Sequence, residues 1–249
     1  MYRGSQKHVL DWVEQPLFVP ELLNLVRPVG AKVTAQSVWA PLGYRWPDEA
    51  RLERWGPKNW GAHKCWGELE DWWLAAPRGA NTPNWDLAMI ADLEGQRGLI
   101  LVEAKANVPE LSRDGKEPPS ESEGSRANHN RIGEAIESAR KGLAVVAPGL
   151  NICRNSHYQL ANRLSFTWKL ASLGIPVVLL YIGFTGDNGI NDVGEPFSDS
   201  MHWHKVVERH LDEVGARDLF EHRQQIGGAP FWMLVRSRPV IEISPSAAI

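Results

Sequence analysis

Apolar residues recur at helical spacing in five stretches of the chain. Over residues 8–27 they are Val9, Leu10, Trp12, Val13, Leu17 and Phe18, then Leu22, Leu23, Leu25 and Val26. Pro16 and Pro20 predict that this run is broken into one or two short helices. From about His63 to Ala76, Trp66, Leu69 and Trp73 share one side while Glu68, Glu70 and Asp71 occupy the others, the pattern of a helix half-sunk in a core. Ile132, Ala135, Ile136 and Ala139 predict a helix from about Arg126 to Leu143, and Leu160, Leu164, Trp168 and Ala171 another over His157–Leu173. A fifth spans about 200–214.

Other stretches read as strands. Asn84–Leu93 and Gly98–Asn107 are apolar runs joined by Glu94-Gly95-Gln96-Arg97, the grammar of an antiparallel hairpin. Val177–Ile182 follows the breaker Gly174-Ile175-Pro176, and Ala229–Arg236 reads as a late strand. Lys32–Leu42, with Val33, Val38 and Trp39, is a weaker candidate. Helix, tight turn and apolar strand in succession predict an α/β fold. Two polar stretches, 107–126 and Gly183–Ser200, are expected as long loops.

Composition narrows the picture only in part. A net charge of -3 and a pI near 6.3 exclude a protein-wide basic surface for polyanions, although a local groove can still be basic. The twelve Trp read first as core and loop anchors. Between residues 43 and 62, Tyr44, Arg45, Trp46, Arg51, Arg54, Trp55, Lys58 and Trp60 interleave charge with aromatics, which would also suit a single-strand stacking surface. Cys65 and Cys153 are isolated, so neither a disulfide framework nor a cysteine-based zinc set follows. Met1–Gln15 lacks an apolar signal core, and the run Ile175–Ile182 is too short to span a bilayer; the expectation is a cytoplasmic protein with no membrane partner. Asp187–Asp192 fails the EF-hand spacing, whose twelfth position falls on Ser198. His202, His204 and His210 complete no zinc motif and read as surface or partly buried residues.

The candidate chemistry lies at Glu103-Ala104-Lys105, two opposite charges ending an apolar strand. Charged groups are rarely buried without partners. Alternation puts both side chains on one face, about 7 Å apart. If the hairpin turn centres on Gly95–Arg97, paired residue numbers sum to about 191–193. Asp86 then falls opposite Lys105–Asn107, with Ala88 or Met89 near Glu103. Asp92 falls opposite Leu99–Leu101, about 10 Å too far along the strand. Asp86 is therefore the aspartate able to join the pair. Asp114-Gly115-Lys116 repeats the acid-x-Lys spacing on a loop, which shows how little the bare triplet means. On the helix after the loop, Arg131 lies on the exposed side; on the next, Gln159 and Arg163 are i,i+4 neighbours.

Asp86, Glu103 and Lys105, with the helices bearing Glu68 and Gln159-Leu160-Ala161-Asn162-Arg163, resemble the PD-(D/E)XK nuclease superfamily, of restriction-endonuclease-like fold. The resemblance covers about residues 63–183 of a single domain, 1–249. It leaves 1–62 as a helical and Trp/Arg-rich extension and 184–249 as a C-terminal helix and strand. It implies an α/β core with a central mixed β-sheet flanked by helices. It also implies Mg²⁺ (or Mn²⁺) held by Asp86, Glu103 and the Ala104 carbonyl, with Glu68 a ligand as in some members. Lys105 would orient the attacking water, and Gln159, Arg163 and Arg131 would contact substrate, expected to be DNA; cutting both strands would favour a homodimer. One departure stands out: the family has three antiparallel strands before its second helix, and only two lie between Ala76 and Asn107. Either Lys32–Leu42 supplies the third or the core is trimmed. The rival expectation is a catalytically inactive scaffold that binds a protein or nucleic-acid partner.

Overall fold

The computed structural model describes residues 2–60, 65–77, 80–225 and 227–240; the expected helix start at His63 and the tail Ser244–Ile249 lie outside them. In chain order the elements are α1 (Gly4–Val13), α2 (Phe18–Leu25), β1 (Trp39–Ala40), α3 (Trp66–Trp73), β2 (Leu87–Leu93) and β3 (Gln96–Lys105). Then follow α4 (Glu123–Leu143), α5 (Tyr158–Ser172), β4 (Val177–Thr185), α6 (Ser200–Asp212), β5 (Arg223–Gln225) and β6 (Pro230–Pro239). Short 3-10 turns lie between them. The first apolar stretch forms two helices. Pro16 falls between them, and Pro20 sits in the first turn of α2, where its missing N–H has no helical acceptor to lose. α4 starts three residues before the expected Arg126 because the Ser122 hydroxyl accepts the Ser125 N–H at 3.2 Å, a capping bond the apolar periodicity does not reveal.

The strands form one mixed sheet in the order β1-β2-β3-β4-β6-β5. β1, β2 and β3 are successively antiparallel, β3, β4 and β6 run parallel, and β5 returns antiparallel on β6. The strand sought in Lys32–Leu42 is present as Trp39–Ala40, paired with Met89 and Ala88. Period-two alternation divides the core into two layers. Leu99 and Leu101 of β3, with Val177, Leu179 and Tyr181 of β4, face the apolar sides of α3, α4, α5 and α6. Ile100, Val102 and Ala104, with Val178, Leu180 and Ile182, face α1 and α2. A sheet covered on both faces accounts for the near-continuous apolar character of β3 and β4. Five tryptophans, Trp12, Trp60, Trp73, Trp85 and Trp203, are fully buried; in the Trp/Arg-rich segment Trp60 belongs to the core while Trp46 is exposed. No helix among the described residues is long and apolar enough to cross a membrane.

The polar loop 107–126 is docked by its backbone. Val108 N–H donates to Glu195, Lys116 N–H to Arg154, and the N–H groups of His157 and Tyr158 to Arg113 and Asp114, so the loop closes over the start of α5. The decoy Asp114-Gly115-Lys116 serves this docking, and Lys116 lies over the Tyr158 ring at 5.0 Å.

At Gly183, paired with Lys105, a Cβ would stand 2.3 Å from Cδ2 of the buried Trp203 ring. The rigid ring cannot fold away. Gly183→Ala is therefore expected to lower stability by about 1–3 kcal/mol, read as a lower urea midpoint at unchanged m-value.

A candidate active site at the end of strand β3

The hairpin register differs from the expected one and sharpens the site. Leu87 pairs with Val102 and Leu93 with Gln96, so paired numbers sum to 189 and the turn is only Glu94-Gly95. Both residues have positive φ, 52° and 81°, the type I′ geometry that matches strand twist. Asp92 therefore lies opposite Arg97, not Leu99–Leu101, and its Oδ1 accepts the Gly95 N–H at 2.9 Å. Ala88 faces Leu101 and Met89 faces Ile100, neither one Glu103. Asp86 lies one step beyond the paired residues, level with Glu103, and its Oδ2 accepts the Ala104 N–H at 2.7 Å. It caps the edge of β3 where β2 has ended.

Glu103 and Lys105 continue the row Leu99–Leu101 toward α5 and are 0% and 3% exposed. Two cations neutralise the Glu103 carboxylate. Lys105 Nζ donates to Oε1 and also to Gln159 Oε1 at 2.8 Å, and Arg163 Nε donates to Oε2 at 2.5 Å. The Arg163 guanidinium lies over the Trp85 ring at 4.7 Å, and Lys105 is 5.9 Å from the centre of the Tyr181 ring. Burial alone would raise the Glu103 pKa, but Arg163 and Lys105 outweigh it and hold the group below its ordinary value. Asp86 is pushed up to about 7, chiefly by burial and then by the Glu103 charge, against the pull of Lys105 and the Ala104 amide. Burial, then Glu103, drives the Tyr181 hydroxyl well above the usual range. Two carboxylates in one environment with pKa values forced apart are typical of functional sites.

Five of the expected residues, Asp86, Glu103, Lys105, Gln159 and Arg163, thus converge. Two do not. Glu68 is exposed on α3 and pairs with Lys169 at 2.6 Å, six residues past Arg163 and so roughly 9 Å further along α5. Arg131 donates to the Asp71 carbonyl at 3.1 Å and faces Glu134, tying α4 to α3. Helical spacing gives a residue's face but not which neighbour that face meets. Trp85 and Tyr181 border the cluster as well, and nothing in an apolar run marks which aromatic will border a charge.

The oxygen donors fit a hard dication in kind. Asp86 Oδ1 has no hydrogen-bond partner among the described residues, and a strand residue directs its N–H and C=O to the same edge, so the Ala104 carbonyl faces Asp86. Both Glu103 oxygens are engaged, and Glu103 would have to exchange one cation for the ion. No family model, characterised protein or solved structure matches the chain.

The Asp86 shift has a definite sign. Its folded-state pKa is raised, so between about pH 4 and 7 the native state binds more protons than the unfolded one, and stability falls as pH rises through that window. Asp86→Asn is expected to flatten this decline and to gain on the order of 2 kcal/mol relative to wild type above pH 7, after allowance for partial exposure. Urea titrations between pH 4.5 and 8 test this; parallel wild-type and variant curves would refute it.

Proposed function

We propose that this chain is a Mg²⁺-dependent phosphodiester hydrolase of restriction-endonuclease type, acting on DNA through Asp86, Glu103 and Lys105. The observation that carries the reading is the meeting of these three side chains with Gln159 at the end of β3, beyond the last pair with β2. The antiparallel run β1-β2-β3 followed by parallel β4 also supports it, although β1 comes before α3 in this chain. Bound Mg²⁺ or Mn²⁺ would act as a Lewis acid toward the phosphate and lower the pKa of a water, held by Asp86, Glu103 and the Ala104 carbonyl. Lys105, already oriented by Gln159, would offset charge developing on the phosphate. Arg163 keeps Glu103 ionised and fixes α5 against the strand.

Charge balance shapes how such a site would load. Asp86 and Glu103 together match Lys105 and Arg163, so a dication alone adds uncompensated charge. A phosphodiester anion offsets half of that charge, and metal and substrate are expected to bind together. The rival is a closed ion-pair cluster in a catalytically inactive scaffold, favoured by the full burial of Glu103 and the engagement of both its oxygens.

Cleavage of duplex DNA, single-stranded DNA and RNA in Mg²⁺ or Mn²⁺ separates the two. Wild type is expected to cut DNA only with metal, and Lys105→Met to lose at least about 100-fold of the rate with an unchanged circular dichroism spectrum. Mn²⁺ affinity should rise when a non-cleavable phosphodiester is present. No metal-dependent cleavage of any substrate by wild type, or equal rates in Lys105→Met, would leave the scaffold reading.

A further inference from the structure

A second cluster stands beside this site without belonging to it. His157 immediately precedes α5, His210 lies in the last turn of α6, and Glu213 follows α6 directly. Their ligating atoms all lie within 4.8 Å of one another. His210 and Glu213 are i,i+3 neighbours on one helical face, and the docked loop brings His157 onto them. His157 Nε2 is 2.9 Å from Glu213 Oε2, while Glu213 Oε1 accepts from Arg113. The imidazoles of His157 and His210 are 5.0 Å apart between centroids.

Three observations are poorly explained by packing alone. His210 is 5% exposed, and the buried His157 Nδ1 has no hydrogen-bond partner among the described residues. Buried polar nitrogens are costly when unsatisfied. His157 also holds a left-handed backbone, φ 48° and ψ 37°, which costs a non-glycine residue about 1 kcal/mol or more. Finally, a cleft of about 370 Å³, bordered by Pro109, Arg113, Val206 and Arg209, opens onto His210 and Glu213.

We propose that His157, His210 and Glu213 bind a transition-metal dication of the Zn²⁺ type, with the fourth position open to this cleft. Two imidazoles and a carboxylate form a three-ligand set that Zn²⁺ accepts, with distances of about 2.0–2.2 Å and room for a water. A tetrahedral ion needs its ligand atoms about 3.3 Å apart, so the pairs here must move by at most about 1.5 Å. Burial, followed by the neighbouring His157, drives the His210 pKa down to about 4 against the pull of Glu213, which leaves the neutral imidazole that metals bind. Arg113 can remain on Oε1 while Oε2 ligates. The ion would clamp the start of α5, two residues before Gln159, to the end of α6. This site stands independently of the nuclease reading, since it shares no ligand with Asp86 or Glu103.

Titration of the untagged, EDTA-stripped chain with Co²⁺ tests the proposal. The expected result is one equivalent bound with the intense visible absorption of four-coordinate cobalt, displaced by Zn²⁺. His210→Ala and the shape-preserving, solvent-side Glu213→Gln should each weaken binding at least tenfold, whereas Asp86→Asn should leave it unchanged. Wild type that takes up no more Co²⁺ than the double variant H210A/E213Q overturns the site, as does Glu213→Gln binding as tightly as wild type.

Discussion

The neutralisation of one carboxylate organises the centre of this molecule. Glu103 is wholly removed from solvent on a strand covered on both faces. Left unpaired there, it would cost several kcal/mol. Lys105 from the same strand and Arg163 from α5 meet its two oxygens, and Gln159 holds Lys105 from the turn before Arg163. The docking of α5 on the sheet is thus specified by polar geometry as well as by Leu160 and Leu164 beneath it. Buried ion pairs seldom exceed the stability of apolar residues of the same volume, which often do as well or better by about 1–4 kcal/mol. Stability alone therefore gives a weak reason for this cluster.

Strand length determines which edge beside that cluster is left unpaired. β2 begins only at Leu87 while β3 continues three residues past its partner Val102, so one edge of β3 is open beside Glu103 and Lys105. Asp86 satisfies one amide of that edge and in doing so brings a second carboxyl to the first. On the other edge, β4 continues the pairing to Gly183, whose missing side chain admits the Trp203 ring. Both clusters gather near the carboxyl ends of the parallel strands β3 and β4, where α/β sheets usually bind ligands. The start of α5 links them, with His157 on one side and Gln159 and Arg163 on the other.

Much of this was legible in the chain. The apolar spacing located the main helices and strands, and period-two alternation put Glu103 and Lys105 on one face. Asp86 is level with Glu103 although the paired sum differs from the expected one by two to four, and Asp92 lies six residues nearer the turn, opposite Arg97. The register itself depended on Glu94 accepting a positive φ, which is uncommon for a residue with a Cβ and which its ion pairs with Arg223 accompany. That partner lies 129 residues away.

Local order fixed element type, strand face and the charged triplet, because these depend on periodicities of two and 3.6 residues within a single segment. Tertiary structure decided which charges meet. Arg163 and Glu68 both lie on amphipathic helices, yet one reaches the buried carboxylate and the other, itself exposed, pairs with Lys169, since the docking of each helix follows from the whole core. His157 and His210 are 53 residues apart and carry no local motif. They became neighbours only when the polar loop closed over α5 and α6 packed beside it.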